Sequence, residues 1–253
     1  MSHPIRQSAI LTHLEEKRAA SIAELAEQFN VSEETIRRDV RQLEAEGHVQ
    51  KHHGGVRLPD NIFEAPYQLR MGEEGSAKRA IGAAAADLVE DGMTVLIDSG
   101  TTSCWVAKHL TRQRNLSIVT NAIEVAREVS GRNNNRVYLA GGEISTDYRS
   151  AFGPSAIDYA RQFRPDLAFF SIGALDPDRG LLDFHMPEAE FKRAVMPMAQ
   201  KSVIVADHTK FNRKGLIITA PFEVGDIYVF DSQPDAALQG QLRDKHVIIA
   251  SPL

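Results

Sequence analysis

The apolar positions of this chain follow two different periods. Over residues 1–58 they recur at helical spacing. Ile10, Leu11 and Leu14 share one face of a first helix. Ser21 opens a second, with Glu24 three residues on, the spacing of a capping box in which each side chain accepts from the other's backbone N–H. Ile22, Leu25, Ala26 and Phe29 then fall on one face. After a short turn at Asn30 and Val31, Ser32 is placed to cap a third helix, and Glu33 and Glu34 suit the positive end of its dipole. Ile36, Val40 and Leu43 occupy about 60° of that helix's circumference, and Gly47 ends it. Two short helices joined by a tight turn read as helix-turn-helix. Val49 and Val56 flank Gly54-Gly55, the pattern of a two-stranded wing.

From residue 77 the pattern changes. Short apolar runs, MTVLID (93–98), LSIVT (116–120), RVYLA (136–140), LAFFSIG (167–173), SVIVAD (202–207), IYVF (227–230) and HVIIA (246–250), are mostly separated by helical stretches. Continuous apolar runs suit strands covered on both faces. The expectation is an α/β domain with a mostly parallel sheet. Residues 59–76, with Pro59, Pro66, Gly72 and Gly75, hold no sustained period and read as a linker. The organisation is therefore a winged helix-turn-helix over 1–58, a linker over 59–76, and an α/β domain over 77–253.

Composition narrows the function. The chain has 253 residues, 43% hydrophobic and 25% charged, which excludes disordered, collagen-like and disulfide-scaffold classes. No apolar run reaches the ~18 residues of a membrane span, and MSHPIRQSAILTHLEEK lacks the apolar core of a secretory leader. A single cysteine, Cys104, excludes an intramolecular disulfide and a Cys-based zinc site and fits a reducing cytoplasm, the expected location. The net charge of -5 means that nucleic-acid binding must rest on a local patch. Even residues 1–58 carry eight Lys and Arg against nine Asp and Glu, so placement decides. Arg37, Arg38 and Arg41 fall opposite the apolar face of the third helix. Ser32, Glu34 and Thr35 stand at its start, the part that reaches base edges in helix-turn-helix proteins. The wing adds Lys51, His52, His53 and Arg57. A solvated helix face is the bland alternative, but capping box, turn, Arg-bearing helix and Gly-Gly wing in this order point to double-stranded DNA.

The stretch SIAELAEQFNVSEETIRRDVRQLEAEGHVQKHHGGV closely resembles the N-terminal signature of the DeoR family of bacterial transcriptional repressors. The resemblance continues through DSGTT, IVTN, LAGGE, FGPSA and ADHTKF. It implies a C-terminal domain similar to ribose-5-phosphate isomerase that senses a phosphorylated metabolite, in a homodimer or homotetramer. Within the family, Gly180-Leu181-Leu182-Asp183-Phe184 looks most like the glycerol-3-phosphate regulon repressors. The chain then departs from their Asp-Tyr pair with His185-Met186-Pro187-Glu188, which leaves glycerol 3-phosphate and sugar phosphates both open.

The residues themselves support a ligand site. Asp98-Ser99-Gly100-Thr101-Thr102 follows a strand and opens a helix, where glycine admits close approach, hydroxyls donate and the helix N-terminus favours an anion. Thr120-Asn121 and Gly141-Gly142 also end strands, where ligands bind in open α/β sheets. Arg149 can pair a phosphate, or lie on the surface. Asp207 suits a sugar hydroxyl and Lys210 a phosphate; an ion pair between them is the alternative. Glu188 and Lys192 are spaced as a helix-stabilising pair, although Glu188 also qualifies for the site. Cys104 reads as a buried structural thiol. His52 and His53, adjacent on a strand, point to opposite faces and make a poor metal pair. No metal, cofactor or catalytic residue is expected. A sugar-phosphate isomerase carrying an accessory DNA-binding domain is the rival reading.

Overall fold

The computed structural model describes residues 3–17, 19–45, 49–52, 55–57, 64 and 67–252. Gly47, His53, Gly54, Leu58, Pro59 and Pro66, named above, lie outside them, as does the side chain of His52. The chain forms two compact units, Met1–Ala65 and Pro66–Leu253.

The first unit contains α1 (His3–Lys17), β1 (Ala19–Ser21), α2 (Ile22–Phe29), α3 (Glu33–Ala45), β2 (Gln50–His52) and β3 (Gly55–Arg57). Ser21 and Glu24 form the capping box, with both bonds present at 2.7 and 3.1 Å. Asn30 closes α2 in the left-handed conformation, φ 51°, which asparagine tolerates. Ser32 Oγ accepts from Thr35 N at 3.3 Å at the start of α3. Ile10, Leu14, Leu25, Ile36, Val40, Leu43, Val49 and Val56 close the core. The wing is three-stranded, in the order β1-β3-β2, because Ala19–Ser21 pairs antiparallel with Gly55–Arg57. Three residues are too few for a period to register, so the sequence pattern shows two strands only. Charge is also buried here: Arg6 and Asp39 form a bidentate pair joining α1 to α3.

The second unit begins with α4 (Tyr67–Gly72), inside the stretch that reads as linker; α5 (Gly75–Ala86) also starts there. It continues with β4 (Thr94–Ile97), α6 (Thr101–His109), β5 (Ser117–Thr120), α7 (Ile123–Val129), β6 (Arg136–Leu139), β7 (Ile144–Ser145), β8 (Ser150–Ala151) and α8 (Pro154–Ala160). Then come β9 (Leu167–Ser171), β10 (Ala174–Asp176), β11 (Gly180–Asp183), α9 (Met186–Val195), β12 (Lys201–Ala206), β13 (Ile217–Ala220), β14 (Ile227–Phe230), α10 (Ala236–Gln241) and β15 (His246–Ile249).

The seven apolar runs all enter one parallel sheet, ordered β15-β14-β12-β9-β4-β5-β6. Strand residues alternate between two cores. Val95, Ile97, Phe169, Val203 and Val205 join one; Leu96, Phe170, Ile204 and Ala206 join the other. Two-sided burial is why the five inner strands read as unbroken apolar runs, while the edge strands β6 and β15 are only partly covered. The strand order reverses at β4, which puts the switch point, where open α/β sheets form their ligand crevice, between the carboxyl ends of β4 and β9. LAFFSIG does not remain one strand. The chain breaks after Ser171, and a second, antiparallel sheet β10-β11-β13 follows. Gly180 makes the tight return at φ +92°, where a Cβ would lie 2.6 Å from Ala220 O.

Candidate functional site

On the first unit, α3 displays Arg37, Arg38 and Arg41 to solvent while its apolar side closes the core. Ser32 and Thr35 share a hydroxyl contact of 2.9 Å at its start. Lys51 is exposed on β2, and half-buried Arg57 Nη2 donates to Gln50 Oε1 at 3.3 Å. Arg37, Arg41, Lys51 and Glu33 line a groove of about 420 Å³ that also meets Gly55 and the start of α2.

On the second unit, Asp98 leaves β4 fully buried and serves the frame. Its Oδ1 accepts from Gly100 N and its Oδ2 from Ser171 N, each at 3.1 Å, so one carboxylate ties β4 to β9 at the crevice. Burial pushes its pKa up, against the pull of Lys192. Gly100 packs so closely that a Cβ there would sit 1.3 Å from Ser171 Oγ. It starts α6 without a side-chain cap. The first N–H groups of α6, at Thr101 to Ser103, therefore have no intrahelical acceptor. Beside them, Ser99 Oγ is buried without a partner. From β5, Thr120 Oγ1 accepts from Ala122 N at 3.1 Å, and Asn121 donates to Ala151 O at 2.9 Å while its Oδ1 stays buried and unpartnered.

The remaining candidates separate. Asp207 is fully buried at the end of β12; Oδ1 accepts from Thr209 N at 3.0 Å, and Oδ2 has no partner. Lys210 is half-buried at the end of the same turn. Arg149 bonds Glu124 at 2.5 Å, with φ +52°. Gly141 and Gly142 are exposed beyond β6. Glu188 bonds Lys192 at 2.9 Å, the expected pairing, but both are buried. Cys104 is a buried free thiol. Among the described residues no group of three His, Cys, Asp or Glu is placed to hold a metal ion.

Two lysines hold more than the sequence reading gave them: Lys192 reads there only as the helix partner of Glu188, and Lys78 is not singled out. Lys192 Nζ donates to Ser171 O at 2.6 Å and to both oxygens of Asp183 at 3.0 Å, and lies 3.7 Å from Asp98. Asp183 also accepts from Gly173 N at 3.0 Å and Thr219 Oγ1 at 2.7 Å. Burial opposes the lysine's charge, but Asp183, Glu188 and Asp98 outweigh it and raise its pKa. This cation is fixed in the charged form and set against three carboxylates. Lys78, on α5, is 2% exposed and bonds Arg70 O at 2.5 Å. Burial first, then the nearby cations, push its pKa down to about 8, against the pull of Asp207. The signal was available: Lys78, Ile81, Gly82, Ala85 and Ala86 share the buried stripe of one helix.

Comparison with known proteins follows this geometry. The DeoR-like helix-turn-helix domain matches residues 6–61, and the DeoR C terminal sensor domain matches residues 73–232. The chain belongs to the DeoR family. It is 32% identical to the glycerol-3-phosphate regulon repressor of Escherichia coli over 247 residues, covering 98% of each chain. It is 33% identical to the transcriptional repressor AccR of Agrobacterium fabrum, covering 96% of each. These relatives are named as repressors, not enzymes. Among solved structures, ribose 5-phosphate isomerase A from Methanocaldococcus jannaschii aligns at 14% identity and a TM-score of 0.39, over 53% of each chain. No helix among the described residues is long and apolar enough to cross a membrane.

Proposed function

We propose that the protein represses a carbon-catabolism operon and leaves its operator when the second unit binds a phosphorylated metabolite, glycerol 3-phosphate or a sugar phosphate. The observation that carries the effector half is the set of unspent polar groups at the crevice. The uncapped start of α6 offers N–H donors beside the partnerless Ser99 hydroxyl and Asn121 carbonyl. A phosphate supplies the acceptors that such a helix start lacks. Lys78, close to Lys210 and Asp207, adds positive charge at the same end of the sheet. The carboxylates around Lys192 disfavour a second anion there, so the effector is read as polar at both ends: phosphate toward α6, hydroxyls toward the acidic side. The isomerase reading finds no ready proton carrier in Lys192, which three carboxylates hold protonated.

The test is a thermal-shift screen of the full-length protein against glycerol 3-phosphate and hexose and pentose phosphates. A true effector at about 100 times its Kd adds roughly 2.7 kcal/mol, and the same compound releases bound operator duplex. Ribose 5-phosphate is returned unconverted. Stabilisation by an unphosphorylated compound alone contradicts the proposal.

A further inference from the structure

The exposed face of α3 carries charges of both signs. Arg37 Nη2 lies 2.6 Å from Glu33 Oε2, and its Nη1 3.9 Å from Glu34 Oε2. Arg41 Nη1 lies 3.6 Å from Glu34 Oε1. Lys51 Nζ pairs with Glu44, whose other oxygen accepts from Lys51 N at 3.3 Å. Arg38, on the same helix, makes no ion pair with any described residue. Of the cations assigned to DNA, Arg37, Arg41 and Lys51 are thus already paired to carboxylates within the protein, and Arg38 is not. Helix stabilisation explains Glu33–Arg37, spaced i, i+4. It does not explain Glu34–Arg41, two turns apart, or Glu44–Lys51, which joins the helix to the wing.

We infer that Glu33, Glu34 and Glu44 are specificity-determining residues that discount contacts to phosphate and spare contacts to bases. Non-specific binding is driven by counterion release, one step for each free cation that meets a phosphate. A cation paired to a carboxylate releases less, and the carboxylate left beside a phosphate repels it. A guanidinium reading a guanine edge keeps one side free for its carboxylate, which then orients the fork. The penalty therefore falls on arbitrary DNA more than on a matched sequence. This rests on the DNA-binding reading of the first unit.

The experiment is fluorescence anisotropy with the full-length protein in a salt titration. One probe is a mixed-sequence duplex; the other is a duplex selected by the parent from a randomised library. The triple variant Glu33→Gln, Glu34→Gln, Glu44→Gln is expected to bind the mixed duplex about tenfold tighter, with a salt slope steeper by about two to three. The selected duplex gains less than about threefold, so discrimination falls. In the parent, Arg38→Ala lowers the slope on the mixed duplex by about one, and Arg37→Ala by less than about half of that. In the Glu33→Gln, Glu34→Gln background, which removes both partners of Arg37, the two become equal. Glu44→Gln alone keeps the test secure against misfolding, because a carboxylate in the last turn of α3 opposes the helix dipole and its loss does not weaken the helix. Unchanged slope and affinity, or equal gains on both duplexes, overturn the inference. A parent that binds neither duplex overturns the DNA-binding reading itself, and this inference with it.

Discussion

The surface of α3 in the first unit and the Lys192 cluster in the second hold their charges in opposite ways. On α3 the Arg37 and Arg41 side chains are 47% and 62% exposed, and exposed pairs of this kind exchange partners at little cost. Around Lys192 the lysine and its three carboxylates are all buried, and none can leave without stranding a charge. The first arrangement suits a surface that must bind and let go. The second suits a frame that stays fixed while a ligand enters the crevice beside it. Burial, not the number of ion pairs, decides which role a charged cluster serves.

The contrast is broken most directly through stability. Lys192→Met leaves three carboxylates buried without their cation and should cost about 3–5 kcal/mol in chemical denaturation. Arg37→Met should cost less than about 1 kcal/mol. Asp39→Asn, which breaks the buried Arg6 pair in the first unit, should resemble the Lys192 change and not the Arg37 one, since the effect follows burial and not the domain. Equal losses for Lys192→Met and Arg37→Met remove the distinction.

Binding sharpens it next. Replacing Arg37 or Arg38 by alanine is expected to cost about 1–3 kcal/mol and relax sequence preference where the side chain reads a base. Where it meets a phosphate, the salt slope falls instead, by about one for Arg38 and by less than about half of that for Arg37, which Glu33 already pairs. Selection of preferred duplexes by each variant separates the two.

The smallest effect concerns Lys78. Its folded pKa, about 8, lies below the usual lysine value. The lysine is mostly charged at neutral pH and loses its charge as pH rises through that value. Effector affinity should therefore weaken several-fold between about pH 7.5 and 9, and Lys78→Met should remove this dependence. The linked stability change has the opposite sign: the cost of burying the charge is complete below the folded pKa and is relieved as pH rises toward the unfolded one. Calorimetric titration and thermal melts across that range check both.

Much of the architecture was legible. Two-sided burial writes itself as apolar runs, and the five inner strands of the parallel sheet were visible for that reason; the edge strands β6 and β15 are only partly buried and were visible by their Val, Ile and Tyr content. The small sheet β10-β11-β13 was not, because its strands are short and LAFFSIG reads as continuous. The Ser21–Glu24 capping box is a local bond and was readable at its spacing. The partners of Asp98 were not, since Ser171 and Lys192 reach it only through the fold. Asp98 was a natural ligand candidate by position, yet its oxygens serve Gly100 and Ser171. Lys78 was hidden for a different reason: a lysine in an alanine-rich helix reads as solvated until its register with Ile81 and Ala85 is counted.

The central claim is that a phosphorylated effector, held at the ends of β4, β5 and β12, releases the DNA bound by α3. It is tested most directly by forming the complex of full-length protein with the selected duplex and titrating in the metabolite found by thermal shift. The parent and the variants Lys210→Ala, Asp207→Ala and Lys78→Met are compared by anisotropy. Release requires the effector to prefer the DNA-free state, and by linkage the duplex should weaken effector binding by the same factor. The account predicts parental affinity for the duplex in all three variants, with about tenfold or more metabolite needed for release, the equivalent of about 1.4 kcal/mol. Release of all three at the parent's metabolite concentration contradicts it.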